Sequence, residues 1–161
     1  MKIYLAGPLF STAERDFNAR LAERLRRAGH EVFLPQESEQ RSMTPKQIFA
    51  SDVAGIDWAD VVVANMDGPD PDSGTCWECG YAYGRKPVVL FRTDFRVGHE
   101  LRPGTRGGDE GGPAPYNLML SESATVRLDL PFRDLDAVAS RIDKALRGLP
   151  AARAAAGPVS P

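Results

Sequence analysis

Short, nearly continuous apolar runs alternate along this chain with longer segments of helical period. Lys2-Ile3-Tyr4-Leu5-Ala6 reads as a short buried strand, ended by a turn at Gly7-Pro8. Phe17, Leu21, Leu25 and Ala28 then recur at helical spacing, with Arg and Glu on the opposite face, the pattern of an amphipathic helix. Ser11 and Glu14 supply its capping box and Gly29 its stop. Residues 31–34 form a second apolar run, and Pro35-Gln36 turns the chain out at its end. Thr44 and Gln47 make another capping box, with Pro45 at the first helical position, which predicts a helix through Ile56. Further strand-like runs follow at residues 60–65, 87–91 and 124–128, and residues 134–146 carry a last amphipathic helical pattern.

Between the third and fourth runs lies Asp72-Ser73-Gly74-Thr75-Cys76-Trp77-Glu78-Cys79-Gly80-Tyr81-Ala82-Tyr83-Gly84, which reads as a helix behind a Gly-containing turn and so as the crossover of a βαβ unit. The β-α-β-α-β-α-β order predicts an α/β, three-layer, doubly wound parallel sheet of about five strands, flavodoxin-like or Rossmann-like in layout. Such folds bind ligands at the carboxyl edge of the sheet, where the 72–84 helix begins. Residues 93–116 are rich in Gly and charge and have no periodicity, so a long mobile loop is expected there. One domain spanning residues 1–149 is expected, followed by a disordered Ala/Gly/Pro tail at 150–161.

Composition narrows the class. The 161 residues are 42% hydrophobic and 26% charged, enough to bury a core without disulfides or a structural metal. A formal charge of -2 offers no electrostatic reason to expect nucleic acid or an anionic membrane as partner. No window approaches a membrane span and no signal-peptide pattern opens the chain, so a cytoplasmic location is the expectation. Cys76 and Cys79 form a C-x-x-C, but a zinc site lacks partners, because no other cysteine exists and His30 and His99 sit in unrelated contexts. A redox pair would place an exposed first cysteine at the helix start, whereas here the Gly-Thr turn comes first. The first strand-to-helix turn lacks G-x-G-x-x-G and no P-loop lysine occurs, which disfavours nicotinamide and ATP. No cofactor or metal is expected.

The candidate chemistry is carried by carboxylates. Asp52, Asp72 and Glu78 each fall near the carboxyl end of a strand or the start of the following helix. Glu78, in the first turns of a helix behind a Ser73 N-cap, would feel the positive end of the helix dipole and be held ionised. An ionised, partly buried carboxylate can attack an anomeric carbon while a second, here Asp52, assists the leaving group. Spacing alone equally allows Glu78 to cap or salt-bridge locally and Asp52 to be a solvated helix residue. Tyr4, Phe10, Gln36, Asn117 and Met119, taken singly, read as core, loop or turn residues.

In combination these segments resemble the nucleoside 2-deoxyribosyltransferases. The carriers are Ile3-Tyr4-Leu5-Ala6-Gly7-Pro8-Leu9-Phe10, Asp52-Val53-Ala54-Gly55-Ile56, the Asp72-Ser73-Gly74-Thr75-x-x-Glu78-x-Gly80-Tyr81-Ala82 block and Asn117-Leu118-Met119, in that order. The resemblance covers residues 1 to about 130. It implies a flavodoxin-like enzyme that exchanges the base of a 2-deoxyribonucleoside by two displacements, with retention at C1′, through a deoxyribosyl ester on Glu78. It further implies Asp52 as the acid that handles the proton on the base, Tyr4 as the residue that orients the nucleophile, and Asp72 as a ligand of a sugar hydroxyl. Phe10 and Gln36 would contact the base, with Gly7 and Gly74 in the turns that border the substrate. Asn117 and Met119 would come from a neighbouring subunit, so a homo-oligomer acting on deoxynucleosides and free bases is expected. The role that some family members give their C-terminal carboxylate is not carried over to this Gly/Pro/Ala tail, and the 93–116 loop is placed to act as a lid. The rival within the superfamily is an N-glycosidase that hydrolyses nucleosides or 5′-monophosphates. That activity needs a phosphate site, for which Ser121 and Ser123 are candidates.

Overall fold

The computed structural model describes residues 1–38, 42–95 and 116–149. Five strands, β1 (Lys2–Ala6), β2 (Glu31–Phe33), β3 (Val61–Asn65), β4 (Val88–Arg92) and β5 (Val126–Asp129), form one sheet in the order β2-β1-β3-β4-β5. Every pairing is parallel. β3 and β4 are buried along their whole length, which is why they read as unbroken Val-rich runs rather than alternating ones.

Side chains alternate across this sheet and divide the core in two. On one face Ile3, Leu5, Val63, Val89 and Phe91 pack against Leu21 and Leu25 of α1 (Thr12–Arg27) and Val138, Ile142 and Leu146 of α5 (Leu135–Gly148). On the other, Tyr4, Ala6, Val62, Ala64 and Leu90 meet Ile56 of α2 (Pro45–Trp58) and Cys79 and Ala82 of α3 (Ser73–Ala82). The expected three-layer α/β fold is thus observed. Because β1 is flanked by β2 on one side and β3 on the other, the direction of winding reverses between β1 and β3. Their carboxyl ends open the crevice in which such sheets take ligands.

Local signals set the helix ends. Ser11 and Thr44 both form complete capping boxes, with Glu14 and Gln47 respectively. Gly29 adopts φ 94°, a left-handed conformation that a glycine accepts without strain. α2 runs to Trp58, past the expected stop at Ile56, because the Lys86 ammonium reaches the carbonyls of Ile56, Asp57 and Ala59 and satisfies the helix end. Residues 118–121, expected as a loop re-entering the core, form a short helix α4 (Leu118–Ser121) capped by Asn117. β5 starts at Val126 rather than residue 124. The 150–161 tail and most of the 93–116 loop lie outside the described residues.

Candidate active site

The register of β1 turns Tyr4 toward α2 and α3, and its hydroxyl donates to Glu78 Oε1 at 2.5 Å. Tyr4 is fully buried. Burial, then the neighbouring Glu78 carboxylate, push its phenol far above the ordinary range, so it stays a donor. Glu78 sits in the second turn of α3, and burial pushes its carboxyl up to about 7; the negative charges of Asp52 and Asp72 act in the same direction, while the Tyr4 hydrogen bond opposes them. Desolvation thus opposes the helix dipole, which was expected to favour the ionised form. The dipole field fades beyond the first turn, whereas desolvation acts wherever water is excluded.

The cap itself is also one residue earlier than expected. Asp72, not Ser73, is the N-cap: its Oδ2 accepts from the Thr75 amide at 2.8 Å and from Thr75 Oγ1 at 3.0 Å. Gly74 lies close beside it, and a Cβ there would come 3.1 Å from Asp72 Oδ2, a tight contact. Among the described residues Asp72 Oδ1 has no hydrogen bond, which leaves one oxygen for a ligand.

Asp52, on α2, is half-buried, and burial raises its pKa. Its Oδ1 is buried with no hydrogen-bond partner among the described residues. Such an orphaned acceptor is costly unless a ligand or a proton satisfies it. Its negative charge acts on both Tyr4 and Glu78, so the three groups are close neighbours. The structure therefore brings Tyr4, Asp52, Asp72 and Glu78 together at the switch point.

Around the first turn, Gly7 permits a close approach: a Cβ would come 3.2 Å from Asn65 Cβ. Phe10 is 79% exposed, and its amide donates to Glu14 Oε2 at 2.9 Å. Gln36 is fixed at both ends of its amide, Nε2 donating to the Arg15 carbonyl at 2.8 Å and Oε1 accepting from Asn18 Nδ2 at 3.3 Å. Asn18, buried, also donates to the Pro8 carbonyl at 2.9 Å and so ties the first turn to Gln36. In the sequence, Asn18 is marked only as a polar residue on the apolar stripe beside Phe17 and Leu21. Arg92 and Asp67 were missed too. Buried Arg92 donates to the carbonyls of Met66 at 2.5 Å and Gly68 at 2.9 Å. Asp67 accepts from the Thr93 amide at 2.6 Å and the Asp94 amide at 2.8 Å. These bonds anchor the loop that delivers Asp72.

Asn117 and Met119 lie elsewhere. Asn117 Oδ1 accepts from the Met119 amide at 2.9 Å, and Met119 is 74% exposed. Both line an open groove of about 730 Å³ with Cys76, Gly80 and Tyr83 of the α3 segment. Those three recur at helical spacing on the side of α3 turned away from Glu78. Within one chain, Asn117 and Met119 are not brought to Glu78. Cys76 and Cys79 are free, and burial raises both thiols, Cys79 to about 12, which suits packing rather than thiolate chemistry.

The fold is an α/β parallel sheet with a half-buried, tyrosine-bonded carboxylate, Glu78, and a second carboxylate, Asp52, that has an unpartnered buried oxygen among the described residues, both near its switch point. The family profile described as nucleoside 2-deoxyribosyltransferase matches residues 3–119, and the chain belongs to that family. Among solved structures, a 2-deoxyribosyltransferase from Bacillus psychrosaccharolyticus is 29% identical with a TM-score of 0.62, covering 86% of this chain and 90% of that one. A 2-deoxyribosyltransferase from Leishmania mexicana, 24% identical with a TM-score of 0.63, covers 89% and 97% and shows the same fold. A CMP N-glycosidase from Clostridium botulinum, 18% identical with a TM-score of 0.60, covers 90% and 99% and likewise shares the fold. No curated protein matches the chain in sequence.

Proposed function

We propose that this protein is a nucleoside 2-deoxyribosyltransferase that exchanges bases through a covalent deoxyribosyl ester on Glu78. The observation that carries the reading is the Tyr4–Glu78 hydrogen bond beside the orphaned Asp52 Oδ1. Tyr4 occupies Oε1 and leaves Oε2 of the ionised carboxylate to attack C1′ of the sugar. As the C1′–N bond breaks, its electron pair goes to the base nitrogen, and Asp52 delivers a proton to the base. The raised pKa of Asp52 suits it to carry that proton. In the second half, a nitrogen of the incoming base attacks C1′, Asp52 takes back its proton, and Glu78 departs as carboxylate. Two displacements retain the configuration.

Asp72 holds a sugar hydroxyl through Oδ1, and Gly74 permits the turn that aims it. Phe10 and the fixed amide of Gln36 meet the base, with Gly7 allowing the first turn to sit close against β3. Asn117 and Met119, displaced from Glu78 within one chain, serve a neighbour's site in a homo-oligomer. A 2-deoxy sugar favours this chemistry, because a 2-hydroxyl would destabilise an oxocarbenium-like transition state inductively and offer Glu78 a competing hydrogen bond.

Transfer is favoured over hydrolysis of a 5′-monophosphate because the serines proposed for a phosphate site are already engaged. Ser121 Oγ lies 3.3 Å from the Leu118 carbonyl and 2.9 Å from Glu122 Oε1, and Ser123 Oγ donates to the Leu120 carbonyl at 2.9 Å. Incubating a deoxynucleoside with and without a second free base, and following both nucleosides and free deoxyribose by chromatography, tests the assignment. The expected result is new nucleoside formed only with the second base and little free sugar. Free deoxyribose accumulating at the same rate in both incubations would make the protein a hydrolase.

A further inference from the structure

We propose that Phe33 is a positioning residue: wedged between the backbone of Gly55 and the ring of Tyr4, it holds the Tyr4 hydroxyl on the Glu78 carboxylate. In the parallel pairing of β1 and β2, Tyr4 and Phe33 are register partners, so their side chains leave the same face of the sheet side by side. The two rings stack with centroids 5.5 Å apart and planes 14° from parallel. Behind Phe33 stands α2, and it stands there at a glycine. A Cβ on Gly55 would lie 2.7 Å from Phe33 Cε1 and 2.8 Å from Cδ1 and Cζ, so the helix backbone itself presses on the ring. Four elements are thereby locked in series by three contacts, α2 against Phe33 of β2, Phe33 against Tyr4 of β1, and Tyr4 against Glu78 on α3.

The consequence is directional. A tyrosine hydroxyl reaches its acceptor only if the ring plane and its tilt are fixed, and the stack fixes both. β2 is a three-residue edge strand and Phe33 is only half-buried, so the contact is not demanded by closure of the central sheet. Thinning the stack with Phe33→Leu, or forcing the ring aside with Gly55→Ala, lets Tyr4 withdraw. Among the described residues, Glu78 then loses the neighbour that favours its ionised form, while Asp52 from α2 and Asp72 at the start of α3 continue to oppose ionisation.

The inference rests on the reading of Glu78 as nucleophile for its catalytic meaning, but its test reads position without requiring turnover. The carboxyl titration of Glu78 is followed by carbon NMR in protein labelled at the glutamate carboxyls, with the signal assigned by its absence in Glu78→Gln. Circular dichroism verifies that each variant is folded. Phe33→Leu and Gly55→Ala should each raise the midpoint by roughly half a pH unit or more, as loss of a hydrogen bond to a carboxylate does. In a Tyr4→Phe background neither should raise it further, and Phe33→Tyr, which keeps the stack, should keep the wild-type midpoint. A midpoint unmoved in Phe33→Leu, or moved equally with and without the Tyr4 hydroxyl, would overturn the proposal. Base exchange retained by Glu78→Ala would instead remove the catalytic reading and leave the titration result standing.

Discussion

Glu78 owes its properties to where its side chain lies rather than to where it falls in the helix. Residue type and spacing left Glu78 and Asp52 open between chemistry and a local structural role, and Tyr4 read as core; only the family resemblance marked all three. The ionisation of Glu78 was not legible, because the exclusion of water by β1 and α2 is a property of the packed chain. A carboxyl pushed up to about 7 holds its proton in the folded state across a range where the unfolded chain, with an ordinary carboxyl near 4.5, has lost it. The folded pKa is the higher, so the stabilising contribution is complete below the unfolded value and is lost as pH rises through about 7. Glu78→Gln, which keeps an acceptor for Tyr4 but cannot ionise, should therefore raise stability at pH 8 by on the order of 1–3 kcal/mol. At pH 5 the gain should be much smaller. Thermal melts at the two pH values check this, and an equal shift at both would show that ionisation of Glu78 is not what burial opposes.

At the level of elements, the sequence was legible where signals were redundant. The capping boxes of α1 and α2 each combine two residues with an apolar stripe, and both helices begin where expected. α3 was harder, since Asp72 and Ser73 are adjacent and both are good N-caps. The structure selects Asp72, whose Oδ2 also takes the Thr75 hydroxyl. α4 is a single turn, too short to show a period. Asp72 caps α3, and the proposed function adds a role at the sugar that substitution can separate from the cap. Asp72→Asn keeps an oxygen for the cap and should leave stability within about 0.5 kcal/mol while raising KM for the deoxynucleoside. Asp72→Ala should raise KM as well and destabilise by about 1 kcal/mol. Denaturant melts beside steady-state kinetics distinguish the two, and an unchanged KM in both variants would remove Asp72 from the sugar site.

For the molecule as a whole, the parallel sheet follows from the β/α alternation, while the order β2-β1-β3-β4-β5, and with it the crevice at the ends of β1 and β3, comes from the fold. What the chain's own order could not reveal is that Asn117 and Met119 sit across α3 from Glu78. The sequence places them in line with the other motif residues, while the fold sends them to the opposite side of a helix. That separation predicts complementation between subunits. Glu78→Ala and Asn117→Ala proteins, each inactive alone, should recover a fraction of activity when mixed oligomers are formed by co-expression, because some sites then combine an intact Glu78 with an intact neighbour's Asn117. Full activity in a strictly monomeric protein would contradict the shared site. No helix among the described residues is long and apolar enough to cross a membrane.

The central claim is that Glu78 becomes covalently deoxyribosylated during turnover. It is tested most directly by acid-quenching the protein with a deoxynucleoside in the absence of acceptor base and mapping its peptides by mass spectrometry. The account predicts one added deoxyribosyl group on the peptide containing Glu78, lost when a free base is supplied before the quench and absent from Glu78→Ala. An unmodified Glu78 peptide from protein that is releasing base, or the same adduct on another residue, would contradict it.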